Sequence, residues 1–288
     1  MRRPAVIAVG LIAATLVQGC AGAARRADPP PTPERLAVIR AASQAAQEAF
    51  DRRDWPRAQA ELERLVAETP RSAEAHNRLG RVLLARNRPT EAEAAFRIAL
   101  VIDPAYVDAL IGLGRAALAT GRLQEALRQL ERAIDLEPAR AEAHLARGNA
   151  LESLGHSGEA QDAYFRALES DPGLASAAMR VAVLQLDAGR LDQALARLDG
   201  VVELTPDDPE ARALRGRTNL ALKNTAQAVE DLAFAAEKLP DRPEVFYALA
   251  LALDGAKLTV DARKAAERAE TLAPNWAEAR ELSAKLRR

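Results

Sequence analysis

The sequence has one cysteine, few aromatic residues and almost no net charge, and each shortage excludes a class of protein. With Cys20 alone among 288 residues, no disulfide can form within the chain and no cluster of thiolates can hold a metal. A formal net charge of −1 excludes the basic excess that drives binding to nucleic acid. Aromatic residues make up only 3% of the chain, while alanine, leucine, arginine and glutamate dominate it. The composition therefore predicts an all-α protein.

The N-terminal segment has the composition of a secretory signal. Arg2 and Arg3 precede an apolar stretch over residues 4–17, and small or polar residues follow it. That stretch is shorter than the roughly 20 residues that a permanent transmembrane helix needs. Residues 1–19 are therefore predicted to be a signal peptide that is removed.

The lone cysteine directly follows this segment. The sequence LVQGC over residues 16–20 resembles the lipobox of bacterial lipoproteins, although Gln18 stands where a small residue is more usual. The resemblance implies that Cys20 becomes the lipidated first residue of the mature chain, and several acyl chains make such an anchor stable. Ala21 is not the aspartate that commonly retains lipoproteins at the inner membrane, which favours the outer membrane of a bacterial envelope, facing the periplasm. An unmodified cysteine behind an uncleaved anchor is the alternative.

Residues 20–33 are predicted to form a tether. Pro29, Pro30, Pro31 and Pro33 favour the polyproline II conformation, which extends by about 3.1 Å per residue. A segment of this kind can hold a folded unit roughly 35 to 40 Å from a lipid surface.

A repeat of 34 residues runs through the rest of the chain. Prolines recur at this step without any insertion, at Pro70, Pro104, Pro138, Pro172, Pro206, Pro240 and Pro274. An alanine stands twelve residues before each of these prolines. The step and the places of its small and apolar residues resemble the tetratricopeptide repeat, which is a pair of helices. The repeats span 39–72, 73–106, 107–140, 141–174, 175–208, 209–242 and 243–276.

The third repeat shows why these residue types recur. Gly114 and Ala126 are small, so the two helices of the repeat can approach closely, and Leu130 fills the space between them. Gly121 can take the left-handed conformation that ends the first helix. Pro138 stops the second helix because proline cannot continue one.

The family resemblance implies the fold class, which is an all-α, right-handed superhelical solenoid. Seven gapless helix pairs form the array over residues 34–276. Residues 277–288 restart the first-helix pattern without a second helix, and they are predicted to form a capping helix. Arg215 stands where leucine is usual, which leaves the local packing there open.

Patterns that indicate catalysis are weak. His76 and His144 occupy the fourth position of their repeats without the spacing of a metal site, so a structural role is predicted for both. Residues 112–117 match a glycine pattern of nucleotide-binding sites, but they lie inside a predicted helix and follow no strand. The repeats occupy the chain and leave no room for a catalytic domain. The protein is therefore predicted not to be an enzyme and to need neither a metal nor a cofactor.

The resemblance also implies which positions face a partner, because the first helices of such repeats line a concave groove. The fifth and ninth positions supply the candidate residues, which mix arginines with apolar side chains: Asn77, Arg81, Ile111, Arg115, Leu145, Asn149, Met179, Val183, Arg217 and Tyr247. Such a groove suits a protein or peptide segment with acidic and hydrophobic side chains. Alternatively, its arginines merely solvate a surface or pair with Glu74, Asp108 and Glu142. No repeat has the lysine and asparagine pair with which some relatives clamp chaperone tails.

Two functions are compatible with these features. The first is a non-enzymatic scaffold that assists the assembly or stability of a pilus or secretion complex, as lipidated repeat proteins of similar architecture do. The second is an adaptor that recruits peptidoglycan hydrolases or envelope proteases. The sequence leaves the partner and the oligomeric state open.

Overall fold

The computed structural model describes residues 32–287, so the predicted signal peptide, Cys20 and most of the predicted tether lie outside the described residues. Fifteen α-helices and no strand occupy this range. They are α1 Pro33–Asp51, α2 Trp55–Glu68, α3 Ala73–Ala85, α4 Pro89–Ile102, α5 Val107–Ala119, α6 Leu123–Leu136, α7 Ala141–Ser153, α8 Ser157–Ser170, α9 Ala175–Asp187, α10 Leu191–Leu204, α11 Pro209–Ala221, α12 Thr225–Lys238, α13 Pro243–Gly255, α14 Thr259–Leu272 and α15 Ala277–Leu286. None of these helices is long and apolar enough to cross a membrane.

The helices stack in chain order, which confirms the solenoid fold. Each helix packs on the next one, from α1 on α2 to α14 on α15. Several odd-numbered helices also contact the next odd-numbered helix, namely α3 with α5, α5 with α7, α9 with α11 and α11 with α13. Even-numbered helices have no comparable contacts with one another within residues 32–287. The odd-numbered helices therefore form the inner layer of the array.

Small residues allow the close approach of the two helices in a repeat. A Cβ atom built on Gly114 of α5 would lie 2.7 Å from Leu130 Cγ of α6. Ala126 and Leu130 are fully buried at this contact. Side chains of neighbouring repeats continue the packing, so the core runs along the array as a chain of clusters.

The turn between the two helices has the same geometry in every repeat. Gly121 has φ of 74°, as its sequence position predicts, and the Arg122 N–H donates to the Ala117 carbonyl at 2.9 Å. This is the closure of a helix by one left-handed residue. Equivalent residues with positive φ stand at every step of 34, namely Arg53, Asn87, Gly155, Gly189, Lys223 and Lys257.

The first helix begins at Pro33, inside the segment predicted as tether. The Thr32 side chain caps it by accepting a hydrogen bond from the Arg35 N–H at 3.3 Å. Proline is well placed in the first turn because its missing N–H would have no partner there. Arg35 then pairs with Glu68 of α2 at 3.0 Å. The turn of helix that precedes the first repeat is thus fixed to the array.

Candidate partner-binding groove

The predicted groove residues all lie on the inner layer of odd-numbered helices. They are Asn77 and Arg81 on α3, Ile111 and Arg115 on α5, Leu145 and Asn149 on α7, Met179 and Val183 on α9, Arg217 on α11 and Tyr247 on α13. A role in binding stays a prediction for each of them. Their surroundings, however, separate the residues that a partner can reach from those that the fold itself uses.

Arg81 and Arg115 occupy equivalent places on adjacent inner helices, and both are exposed. The pKa of the Arg115 guanidinium is lowered from its ordinary value, first because the surrounding protein desolvates it. Glu142 opposes this shift and the nearby charge of Arg81 adds to it. The two arginines therefore lie on one surface of the inner layer, close enough for their charges to interact.

Neither of these two guanidiniums forms a salt bridge within residues 32–287. Asp108 and Glu142, which the sequence offered as their partners, pair instead with Arg140, whose Nε lies 3.1 Å from Glu142 Oε2. Glu142 therefore acts on Arg115 through its nearby charge and not through a salt bridge. The alternative in which the two arginines only solvate the surface stays a hypothesis. Two unpaired cations on one surface attract an anion and can hydrogen-bond to it.

Tyr106, which the sequence analysis did not single out, adds a polar group to this surface. It directly precedes α5 and is half-buried. Desolvation raises the pKa of its hydroxyl, Asp108 and Glu74 raise it further, and a hydrogen bond with the Asn77 amide opposes them. Asn77 itself is only 2% exposed. Asn77 therefore holds the Tyr106 hydroxyl in place through its hydrogen bond and offers little surface to a ligand.

Two of the apolar candidates belong to the core. Ile111 and Leu145 are buried in the clusters between successive repeats. Met179 is half-buried against the neighbouring cluster, and Val183 is half-buried as well. Tyr247 packs its ring against Trp276, with centroids 4.7 Å apart and planes tilted by 43°. Tyr247 is thus the one aromatic residue among the predicted apolar residues, and it is half-buried.

Asn149 belongs to a polar network in the middle of the groove. The Tyr164 hydroxyl lies 2.9 Å from Asn149 Oδ1 and 2.7 Å from Glu152 Oε2, so its single proton serves one acceptor at a time. Glu152 also pairs with Arg180 of the next repeat. Burial first, and then the hydrogen bond to Glu152, raise the pKa of Tyr164 well above its ordinary value. The network joins two adjacent repeats.

Arg217 is exposed on α11 and makes no salt bridge within the described part of the chain. Arg215, two residues earlier, behaves differently. It holds Asp231 of α12 through two hydrogen bonds of 2.7 and 2.8 Å, and Asp231 is 1% exposed. A bidentate pair of this kind satisfies a buried carboxylate. The arginine in place of leucine therefore serves the packing of its own repeat.

The histidines are hydrogen-bonded to the backbone or to a neighbouring acid. Nε2 of His76 donates to the Pro70 carbonyl at 3.0 Å, and Nε2 of His144 donates to the Pro138 carbonyl at 2.8 Å. Because a carbonyl only accepts, these contacts fix the tautomer with the proton on Nε2. No group of three or more His, Cys, Asp or Glu side chains within residues 32–287 could hold a metal ion.

Comparison by family models finds tetratricopeptide repeats over most of the array. The matched ranges are 43–107 and 151–218, each described as a tetratricopeptide repeat, and 114–155, described as a TPR repeat. Together they cover more than half of the chain. A comparison with curated proteins finds no match.

Solved structures with the same arrangement of helices include three repeat proteins. The Cut9–Hcn1 structure of the APC/C matches 80% of this chain at 18% identity with a TM-score of 0.70, and the match covers 48%, about half, of that chain. YrrB, described as a TPR protein with an unusual peptide-binding site, matches 65% of this chain and 96% of its own at 21% identity and a TM-score of 0.53. The pilF protein of Pseudomonas aeruginosa matches 74% of this chain and 96% of its own at 20% identity and 0.59. At these identities the likeness concerns the fold alone.

Proposed function

Since the chain belongs to the tetratricopeptide repeat family, we propose that it is a non-enzymatic scaffold that holds a segment of another protein in its inner groove. The observation that carries the proposal is the pair Arg81 and Arg115, two exposed guanidiniums on adjacent inner helices without a carboxylate partner. Such a surface suits an acidic segment, because each arginine can donate two hydrogen bonds to one carboxylate. Tyr247 at the far end of the array supplies an aromatic contact for an apolar side chain.

The site of action in this proposal is the bacterial envelope. The lipobox resemblance supports it, with Cys20 as the lipid anchor and residues 21–31 as part of the tether. Mass spectrometry of the membrane fraction tests the anchor by determining the mature N-terminus. We expect a lipidated Cys20, and we expect Cys20→Ser to release the protein or to leave it unprocessed. An unmodified, unprocessed wild-type chain would end this part of the proposal.

The proposed task is the assembly or stability of a pilus or secretion complex. The proposed envelope anchor and the long array of tetratricopeptide repeats support it together. Capture of partners from envelope membranes tests it, using the wild type beside the triple variant Arg81→Ala, Arg115→Ala, Arg217→Ala. The matched control replaces three exposed arginines of the even-numbered helices by alanine, namely Arg128, Arg132 and Arg263.

The identity of the captured proteins separates the two functions. Pilus or secretion components that the wild type and the control retain, and that the triple variant loses, support the first function. Cell-wall hydrolases or proteases with the same pattern support the adaptor function instead. If all three proteins capture the same partners, the groove is not the binding site and the proposal is wrong.

A further inference from the structure

A cleft opens between the first two repeats, at the N-terminal end of the inner layer. It is lined by Ala46, Gln47, Phe50, Leu62, Arg78 and Arg81. Its volume is about 80 Å³, which is room for several water molecules. The cleft can therefore accept an aliphatic side chain.

The floor of the cleft is apolar. Ala46 and Leu62 are each 1% exposed, and they close the bottom from α1 and α2. The Phe50 ring forms one wall and is held edge-on by Trp55, with ring centroids 5.3 Å apart. Burying aliphatic surface against such a floor is favourable, at roughly 25 cal/mol per Å². Ala46 and Leu62 offer no donor or acceptor at the floor itself, so a polar group placed there would lose its hydration without compensation.

The rim of the cleft is cationic. Arg78 is held in place by hydrogen bonds to Ser43, at 3.0 Å from the Oγ, and neither it nor Arg81 forms a salt bridge within residues 32–287. Arg81 lies over the Phe50 ring with its guanidinium carbon 5.3 Å from the centroid. Arg115 of the next repeat lies close enough for its charge to interact with that of Arg81. Arg78 and Arg81, the two cations that line the cleft, favour an anion at its mouth and repel a cationic ligand.

We infer that the cleft takes an aliphatic side chain of the partner segment while Arg81, at the rim of the cleft, binds a carboxylate two residues away in the same segment. In an extended chain, residues i and i+2 point to the same side and lie about 6.6 Å apart. The aliphatic side chain can then enter the cleft while the carboxylate stays at its rim. The inference rests on the proposed function and specifies its ligand as an aliphatic-x-acidic motif.

Three short capped peptides test the motif against the full-length protein. The probe is acetyl-Gly-Leu-Gly-Glu-Gly-amide, and the matched peptides replace its leucine by alanine or its glutamate by glutamine. Binding is followed by NMR titration. We expect either replacement to weaken binding about tenfold or more, the change that 1.4 kcal/mol produces. If the three peptides bind alike, or if none binds, the inference is wrong.

Protein variants assign the two halves of the motif. With Arg81→Gln, the difference between the glutamate and glutamine peptides should shrink, while the difference between leucine and alanine persists. Ala46→Val narrows the cleft, so the difference between the leucine and alanine peptides should shrink while the difference between the glutamate and glutamine peptides persists. Arg128→Gln on α6 is the control and should change neither difference. Should Ala46→Val fail to fold, as circular dichroism would show, the Arg81→Gln result alone decides.

The failure of this inference can be distinguished from failure of the proposed function. If the three peptides bind alike but the triple arginine variant loses an envelope partner, the inference about the cleft is wrong and the proposed function of the groove is retained. A triple variant that keeps every partner overturns the groove function, whatever the peptides do.

Discussion

Gly148 of α7 and Tyr164 of α8 touch so closely that a Cβ atom on the glycine would lie 2.4 Å from Cε1 of the tyrosine ring. The same contact joins Gly80 and Phe96, at 2.6 Å, two repeats earlier. Both rings are fully buried. The missing side chain on one helix therefore makes room for a large aromatic ring on the other.

Gly148→Ala should destabilise the protein by about 1 to 3 kcal/mol, because the buried ring has to move and well-packed interiors resist overpacking. Gly200→Ala is the matched control, since it also lies inside a helix, α10, but nothing would be within 4 Å of its new methyl group. That control should be neutral or stabilising by up to about 1 kcal/mol. Urea unfolding followed by circular dichroism measures both. Equal midpoints for the two variants would contradict the close contact.

Ala126→Leu should cost on the order of 1 to 3 kcal/mol, because Ala126 is fully buried between α5 and α6. Arg128→Leu, two residues away on the exposed side of α6, should change stability by less than about 0.5 kcal/mol. Thermal unfolding compares the two substitutions, which introduce the same side chain. Identical melting temperatures would show that the helical register differs from the one described.

Substitutions at two of the left-handed turn residues should change the free energy of unfolding in opposite directions. Lys223 has φ of 64°, a conformation that costs a residue with a Cβ atom roughly 1 kcal/mol or more relative to glycine. Lys223→Gly should therefore raise the free energy of unfolding by about 0.5 kcal/mol after the entropy that glycine adds to the unfolded chain. Gly155→Ala, at φ of 81°, should lower it by about 1 kcal/mol. Denaturant titration checks the two signs. A destabilised Lys223→Gly would count against a strained turn.

Partner binding should depend on salt through the arginines and not through the aromatic end of the groove. Exposed charges are screened over about 8 Å at physiological ionic strength, so affinity should fall as salt rises. Because Arg81 and Arg115 are exposed, loss of either should mainly slow association and should cost less than the roughly 2 to 5 kcal/mol of a buried charge pair. Tyr247→Ala should weaken binding at high salt as well. Titration of the captured partner at two salt concentrations measures the affinity of the wild type and of each variant. Unchanged affinity in every variant would show that the partner binds outside the groove.

The fold was predictable from the sequence because the proline step and the small residues of each repeat act locally. Gly121 shows this, since its left-handed turn follows from its own place in the repeat. The groove was less predictable. Ile111 and Leu145 share a repeat position with Tyr247, yet they are buried because neighbouring repeats close over them. Repeat position alone does not show how far the next helix covers a side chain.

The residues that the sequence analysis missed are those whose role depends on a second repeat. Tyr106 ends one repeat and reaches Asn77 at the fifth position of the same repeat, as Trp276 reaches Tyr247. An aromatic residue ends only these two of the seven repeats, so the repeat pattern gave little signal. The cleft beside Phe50 had no such signal, because it depends on how α1 and α3 are spaced.

Seven left-handed turns of the same type join the helices of repeats that have identical length. The number of intervening units therefore sets the separation along the array between the Arg81–Arg115 pair and Arg217. Removing one whole unit of 34 residues would shorten that separation while preserving every type of contact between neighbours. Removing any other number would break the stacking. The number of repeats between two binding residues, and not the conformation of a loop, thereby sets how far apart the contacting groups of a partner must lie.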